Sequence, residues 1–354
     1  MTLYARVRPL AFSLPAETAH GLGKRVLRGL QATGPTRVAV RSRYRYRHPA
    51  LEVDLFGTRF PNPVGVAAGF DKNAEVTRAL ADLGFGFVEI GTVTPYPQAG
   101  NDRPRLFRLR EDEAMINRMG FNGHGMERVR ERLAAEERPD VPLGVNVGKM
   151  NTSDEREALE DYRRVFDRLY PFGDYFVVNV SCPNTPDEFD EDDPEHLRAI
   201  FETLEAENAD DKPVLVKVGP DSPRESLYEL VDIVEEFGLD GAVATNTTTS
   251  REGIASPNGD EWGGLSGKPL EDRSTDVIRA LAEYTDLPII GVGGVDSAES
   301  AYAKIRAGAS LVQLYTGFVY HGPSTARRIN EGLVELLDRD GFGSVEDAVG
   351  ADLQ

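Results

Sequence analysis

From about residue 60 onward one pattern repeats and sharply narrows what the chain can fold into. A short apolar or β-branched run ends in a polar or glycine-bearing cluster, and a helical stretch follows. The runs are Val64–Ala67, Phe87–Ile90, Leu143–Val147, Phe176–Asn179, Val214–Val218, Gly241–Thr245, Ile289–Val292 and Leu311–Tyr315. They are continuous rather than alternating, so each predicted strand needs cover on both faces, as in a parallel sheet flanked by helices. Eight such units predict a closed (β/α)8 barrel, with an open doubly wound sheet as the alternative. Helical connectors are legible at Asn73–Leu83, Ser153–Tyr170 and Asp296–Ala307. A barrel of roughly 250 residues leaves room for an appendage in a chain of 354.

Two connections exceed a simple repeat. Residues 91–142 are rich in Arg, Asn and Gly and include Asn117-Arg-Met-Gly-Phe-Asn-Gly-His124; Thr247–Pro269 carries Trp262 and several glycines. Insertions on that side of a barrel build active sites. The acidic run Asp187–Glu195 reads as a solvated loop.

Composition excludes several classes. Hydrophobic content of 40% and charged content of 28% are ordinary globular values. No uncharged apolar stretch reaches the roughly 18 residues of a membrane-spanning helix, and the N-terminus lacks a convincing cleavage site for a signal peptide. A single cysteine, Cys182, cannot form an intrachain disulfide, and no Cys/His cluster has metal-ligand spacing, so no metal is expected. The usage fits a reducing, intracellular compartment.

The formal charge of −19 is unevenly placed. Residues 1–50 hold ten basic side chains and one acid, Glu17, whereas the remainder holds 30 basic and 58 acidic. Only seven of the 40 cations are lysine. Such an acid-rich, lysine-poor surface fits adaptation to high salt, the alternative being an ordinary acidic surface; either argues against nucleic acid as partner. At helical spacing Ala19, Leu22, Val26, Leu27 and Leu30 share one arc and Lys24, Arg25 and Arg28 lie opposite. That predicts an amphipathic helix, with Thr2–Ser13 as a second. The pattern fits an interfacial module drawn to an anionic membrane surface, or a helix packed on the barrel with a solvated basic face.

The predicted strand ends carry the chemistry. Gly293-Gly294 ahead of a helix, together with Tyr315-Thr316-Gly317, places backbone N–H groups at the seventh and eighth loops, where barrels bind phosphate. Lys217 ends a buried strand and needs an anionic partner, a structural carboxylate or a ligand such as a reduced flavin. Asn117, Asn146, Asn179, Asn184 and Asn246 offer donors and acceptors suited to a ring bearing carbonyls and N–H groups. Cys182 lies in a loop beyond the fourth run; with a free thiol pKa of about 8.5 it is competent as a base where a cation favours thiolate. A covalent role would need a histidine, and His124 is the nearest polar-loop candidate.

At these positions the chain resembles dihydroorotate dehydrogenase, in its membrane-associated, quinone-reducing class. The resemblance is carried by Ala67-Ala-Gly-Phe-Asp-Lys72, Glu89-Ile-Gly-Thr-Val-Thr-Pro95, Gly100-Asn-Asp-Arg-Pro-Arg-Leu-Phe-Arg108 and Asn117-Arg-Met-Gly-Phe-Asn122. Further on it rests on Ser181-Cys-Pro-Asn-Thr-Pro186, Ala244-Thr-Asn-Thr-Thr248, Gly263-Gly-Leu-Ser-Gly-Lys-Pro269, Gly291-Val-Gly-Gly294 and Leu311-Val-Gln-Leu-Tyr315. It implies an FMN-containing barrel at 49–337, a helical membrane module at 1–48 and an acidic tail at 338–354. The implied reaction oxidises dihydroorotate to orotate in pyrimidine biosynthesis and passes electrons to a quinone, at the cytoplasmic face of the cell membrane and with no obligate protein partner.

The same resemblance implies FMN contacts at Ala68, Gly69, Phe70, Asp71, Lys72, Thr92, Asn146, Asn179, Lys217, Thr245, Gly267, Gly294, Tyr315 and Thr316. It implies dihydroorotate contacts at Lys72, Asn117, Arg118, Met119, Gly120, Phe121, Asn179, Asn184, Asn246 and Thr247. Cys182 falls on the base, and His20 and Arg108 on candidate quinone contacts. Two departures stand out. The quinone class normally has serine where Cys182 stands, cysteine being the version of the soluble classes, which use fumarate or NAD. After Pro186 the usual Gly-Leu-Arg is Asp-Glu-Phe. A non-redox phosphate-binding barrel is the alternative outside this family.

Overall fold

In the computed structural model, which describes residues 3–180 and 193–353, the repeating pattern becomes a closed barrel. Its eight parallel strands are β1 (Val64–Asp71), β2 (Phe87–Val93), β3 (Leu143–Val147), β4 (Tyr175–Asn179), β5 (Val214–Val218), β6 (Gly241–Ala244), β7 (Ile289–Val292) and β8 (Ala309–Leu314). They pair in chain order, and β8 closes on β1 through Val312↔Val64. Closure removes the open-sheet alternative. The helices between strands start where caps dictate: Asp154 and Glu157 form a reciprocal capping box ahead of Glu155–Leu169, and Ser297 and Ser300 do so ahead of Ala298–Arg306.

The barrel is filled from below. Phe87 and Tyr175 meet edge-on at 6.5 Å, and Phe60, from the hairpin Val53–Leu55/Thr58–Phe60, packs edge-on against Phe87 at 5.4 Å. Room for the Phe87 ring comes from Gly65, where a Cβ would sit 2.4 Å from it. At the opposite end two register shifts re-aim the chain: β1 slips between Val66 and Asp71, and β2 between Ile90 and Val93. Bulges of this kind turn side chains out of the regular ladder, here at Ala67–Phe70 and Gly91–Thr92. The two long insertions join each other. Leu106–Leu109, Ala114–Asn117 and Gly264–Gly267 form one antiparallel sheet beside the strand ends.

The N-terminal segment holds three helices rather than two: α1 (Leu3–Ser13), α2 (Ala16–Gln31) and α3 (Gly34–Tyr44). The faces of α2 correct the expected pattern. Lys24, assigned to a basic outer face, is buried and forms ion pairs with Glu75 and Asp71, the latter at 3.2 Å. Leu22 and Val26, assigned to the apolar arc, are 48% and 56% exposed. The physical reason is that burying an acid at Asp71 costs more than exposing two aliphatic side chains, so the helix turns its cation inward. Much of the basic charge of α3 and of Arg45, just past its end, is likewise directed at the barrel. Arg37 Nε, Arg41 Nε and Arg45 Nη2 reach the Asp82 carboxylate at 2.8, 2.5 and 3.4 Å. At the other terminus, residues 338–353 are folded rather than trailing: Val345 and Ala348 of the short helix Val345–Ala348 are buried in the main core.

Asp82 is buried and gathers three guanidinium groups, so Asp82→Ala should loosen α3. We expect a loss of about 2–3 kcal/mol in urea unfolding, discounted for the partly exposed arginines, and earlier tryptic cleavage within α3.

Candidate active site

The strand ends converge on one cavity whose floor is a chain of oriented amides. Glu89, on β2, is fully buried and accepts from Asn146 Nδ2 (2.9 Å) and Gln313 Nε2 (2.6 Å). A carboxylate only accepts, so it decides which way the Asn146 amide faces. Asn146 Oδ1 then accepts from Thr92 Oγ1 (2.5 Å), and Thr92 Oγ1 accepts from Asn179 Nδ2 (2.9 Å). Asn246 Nδ2 completes the chain by donating to Asn179 Oδ1 (3.3 Å). Lys217 is buried beside it, in register with Asn179 across the β4–β5 ladder.

The insertions and α2 supply the walls. Lys72 Nζ donates to Asn122 Oδ1 at 2.7 Å. Asn117 Nδ2 donates across the antiparallel sheet to the Gly264 carbonyl at 3.4 Å. On the N-terminal side His20 stands edge-on to Phe70 at 5.0 Å and parallel to Tyr315 at 6.2 Å. Burial, reinforced by the neighbouring Lys24 charge, pulls its pKa down to about 4, so the imidazole is neutral at physiological pH.

One cavity is lined by Ala68, Gly69, Phe70, Lys72, Thr92, Asn179, Lys217, Thr245, Gly267, Gly294, Tyr315 and Thr316 of the expected cofactor set. Asn117, Met119, Gly120, Phe121, Asn246, Thr247 and His20 line it as well. Four expected residues stand behind it. Asp71 turns its carboxylate to the N–H groups of Glu75 and Val76 and to Lys24; Asn146 acts through Thr92. Arg118 pairs with Glu261 at 2.7 Å and stacks on Trp262. Arg108 donates to the carbonyls of Ala11 (3.3 Å) and Leu14 and lies 4.7 Å from the Phe12 ring centre, where it fastens the α1–α2 turn. His124 binds Arg132 at 2.9 Å. Cys182 and Asn184 lie outside the described residues. At the rim Glu113, Asp296 and His321 bring ligand-type atoms within 4.8 Å of one another, a grouping the sequence spacing does not reveal.

Sequence reasoning passed over Glu89 and Gln313. Both are polar residues inside runs otherwise wholly apolar, the same signal that singled out Lys217.

Residues 50–337 match the family described as dihydroorotate dehydrogenase. A relative from Natronomonas pharaonis named dihydroorotate dehydrogenase (quinone) is 55% identical over 354 residues, covering 100% of both chains. The chain belongs to the dihydroorotate dehydrogenase family. A relative of the same name from Mycobacterium tuberculosis is 45% identical and covers 99% of this chain and 98% of its own. A crystal structure of DHODH from Eimeria tenella in complex with ferulenol superposes with a TM-score of 0.86. It has 36% identity and covers 97% of this chain and 98% of that one. The family is flavin-dependent in general.

Two measurements check the site's electrostatics. Glu89→Leu leaves two buried amide donors without an acceptor and should cost about 1–3 kcal/mol for each in chemical unfolding, whereas Glu89→Gln keeps one acceptor and costs less. For His20, the unfolded chain takes up its proton near pH 6.5 and the native chain only near 4. Acidification through that interval therefore favours unfolding. His20→Gln should flatten that part of the stability profile, and the imidazole resonances should show a neutral ring down to about pH 5.

Proposed function

We propose that this protein is a quinone-dependent dihydroorotate dehydrogenase that binds FMN and works as a peripheral enzyme at the cytoplasmic face of the cell membrane. The observation carrying the reading is the convergence, in one cavity, of a buried lysine, oriented amides and glycine turns, roofed by aromatic side chains and α2. A ligand fits the donor set. Thr247 Oγ1 lines the cavity, buried and, among the described residues, without a hydrogen-bond partner, so a polar atom is wanted there.

Lys217, Asn179 and Thr245 would hold the FMN ring, and Gly294 and Thr316 its phosphate. Bound FMN supplies hydride acceptance from dihydroorotate and onward electron transfer to a quinone. The chain's own residues do the rest. Lys72 offers a cation to the substrate carboxylate, and Asn117, Asn179, Asn246 and Thr247 match the donors and acceptors of its ring. Cys182, as thiolate, takes the C5 proton onto Sγ; a thiol is more acidic than serine's hydroxyl, so the base role survives the exchange. Neutral His20 has a single ring N–H to give a quinone carbonyl, and would have to take it from the Phe70 backbone. Arg108 does not line the cavity and is engaged with the carbonyls of Ala11 and Leu14, so joining His20 would require its guanidinium to move.

The outer surface of α1–α3 supports the membrane reading. Val7, Leu10, Leu14, Leu22, Val26 and Val38 are six of the nine exposed large hydrophobic residues among the described residues, and exposed Arg6 and Arg25 lie among them. No described helix is long and apolar enough to cross a membrane, so the contact proposed is interfacial.

Anaerobic dihydroorotate should bleach the flavin absorbance of purified holoprotein; an unbleached flavin would sink the reading, as a non-redox barrel predicts. Cys182→Ala should slow that bleaching by about 10²–10⁴-fold with FMN retained. Leu10→Glu with Leu22→Glu should abolish binding to anionic liposomes and lower quinone reduction while leaving bleaching intact. Preference for fumarate or NAD over quinone analogues would instead favour the soluble-class chemistry that Cys182 brings to mind.

A further inference from the structure

Behind the Gly293–Gly294 turn a lysine is sealed away from solvent. Lys304, on the helix Ala298–Arg306, is 0% exposed, and among the described residues no carboxylate comes within ion-pair distance of it. Its three protons go to neutral acceptors: Ser274 Oγ (2.6 Å), Thr275 Oγ1 (2.9 Å) and the Glu271 carbonyl (3.2 Å). Both hydroxyls, having accepted from the ammonium, must donate onward. Thr275 donates to the Glu271 carbonyl at 2.8 Å. That oxygen then carries two donors, which leaves Ser274 to favour the Gly293 carbonyl at 2.9 Å over Glu271 at 3.0 Å.

The consequence follows from peptide geometry. A trans peptide sets the next N–H antiparallel to its carbonyl. Tethering Gly293 C=O to fully buried Ser274 therefore turns the Gly294 N–H the opposite way, toward the cavity that both glycines line. The turn is tightly seated: Gly294 has φ +76°, and a Cβ there would lie 2.4 Å from Glu271 Cα. The electrostatics are awkward without a ligand. A cation beneath the first turn of Glu271–Tyr284 opposes the helix dipole. Burial pulls the Lys304 pKa down to about 7 against the opposing pull of Glu271, Asp272 and Asp276. An anion on the far side of the turn offsets both costs.

We propose that Lys304 is a positioning residue for a phosphate group at the Gly293–Gly294 turn, acting through Ser274 and not by contact. This rests on the FMN reading above, and the phosphate is that of FMN. The test titrates flavin-free full-length protein with FMN and with riboflavin, which lacks the phosphate, following flavin fluorescence. Wild type should prefer FMN. Lys304→Met and Ser274→Ala should each lower that preference about tenfold or more while riboflavin affinity holds within about twofold. Thr275→Val, which touches Lys304 but not Gly293, should leave the preference within about twofold. Unchanged preference in folded Lys304→Met or in Ser274→Ala, equal loss of both flavins, or an equal effect of Thr275→Val would overturn the relay. Should Lys304→Met fail to fold, Ser274→Ala decides. A wild type without preference for FMN would instead defeat the underlying reading.

Discussion

The Glu89 carboxylate, enclosed by the barrel and held by the Asn146 and Gln313 amides, is the fixed point from which the site is oriented. An amide in isolation has two orientations, and hydroxyls rotate freely. Because Glu89 accepts only, its presence resolves each ambiguity in turn: Asn146, then Thr92, then Asn179, then Asn246. The result is a row of side chains whose donors and acceptors are set before any ligand arrives. Preorganisation of this kind is valuable where binding a planar, polar ring would otherwise have to order each group. It also explains why a charge is tolerated in so apolar a place. Two short amide contacts replace part of its hydration, and the barrel's tight packing prevents water from competing.

The basic N-terminal segment and the acidic barrel that follows it find one another within the molecule. Lys24 and Arg28 meet Glu75, and Arg37, Arg41 and Arg45 meet Asp82, with Glu137 and Asp140 at the edges. The concentration of basic residues before residue 50 is therefore first an internal docking device, which seats α2 and α3 against the barrel and carries His20 to the cavity. Such pairs are partly buried, and salt screens them less than it screens exposed charge. What remains outside is an apolar set, Leu10, Leu22, Val26 and Val38 among it, with fewer free cations than the composition alone suggests.

The barrel was legible because each strand is a continuous apolar run buried on both faces, a signal independent of tertiary detail. The cavity residues were legible for the related reason that polar groups at the ends of such strands have one mouth to face. What escaped the sequence depends on partners far along the chain. Lys24 lies on the polar arc of α2 by periodicity, yet Asp71, 47 positions on, draws it inward. Periodicity weighs hydrophobicity and cannot weigh a buried carboxylate. Arg108 sits within a motif that points to the cavity, but the carbonyls left free at the α1–α2 turn hold its guanidinium. The three-stranded sheet pairs segments near 115 and 265, a partnership that no local pattern announces.

Lysine usage draws these observations together. The chain has seven lysines, and Lys24, Lys149, Lys217 and Lys304 are buried. On an acidic surface arginine serves the exposed pairs well, since its planar fork meets carboxylates in two places and keeps its charge. Inside, the needs differ. A compact ammonium delivers three donors to acceptors arranged around a point, as Lys304 does with two hydroxyls and a carbonyl, where a guanidinium fork would not fit the same geometry. A desolvated ammonium also leaves its field less screened than a surface charge would. The scarcity of lysine outside and its retention within are thus two sides of one physical distinction. The surface pairs are served by guanidinium forks, whereas the interior takes compact point charges enclosed among hydroxyls and carbonyls.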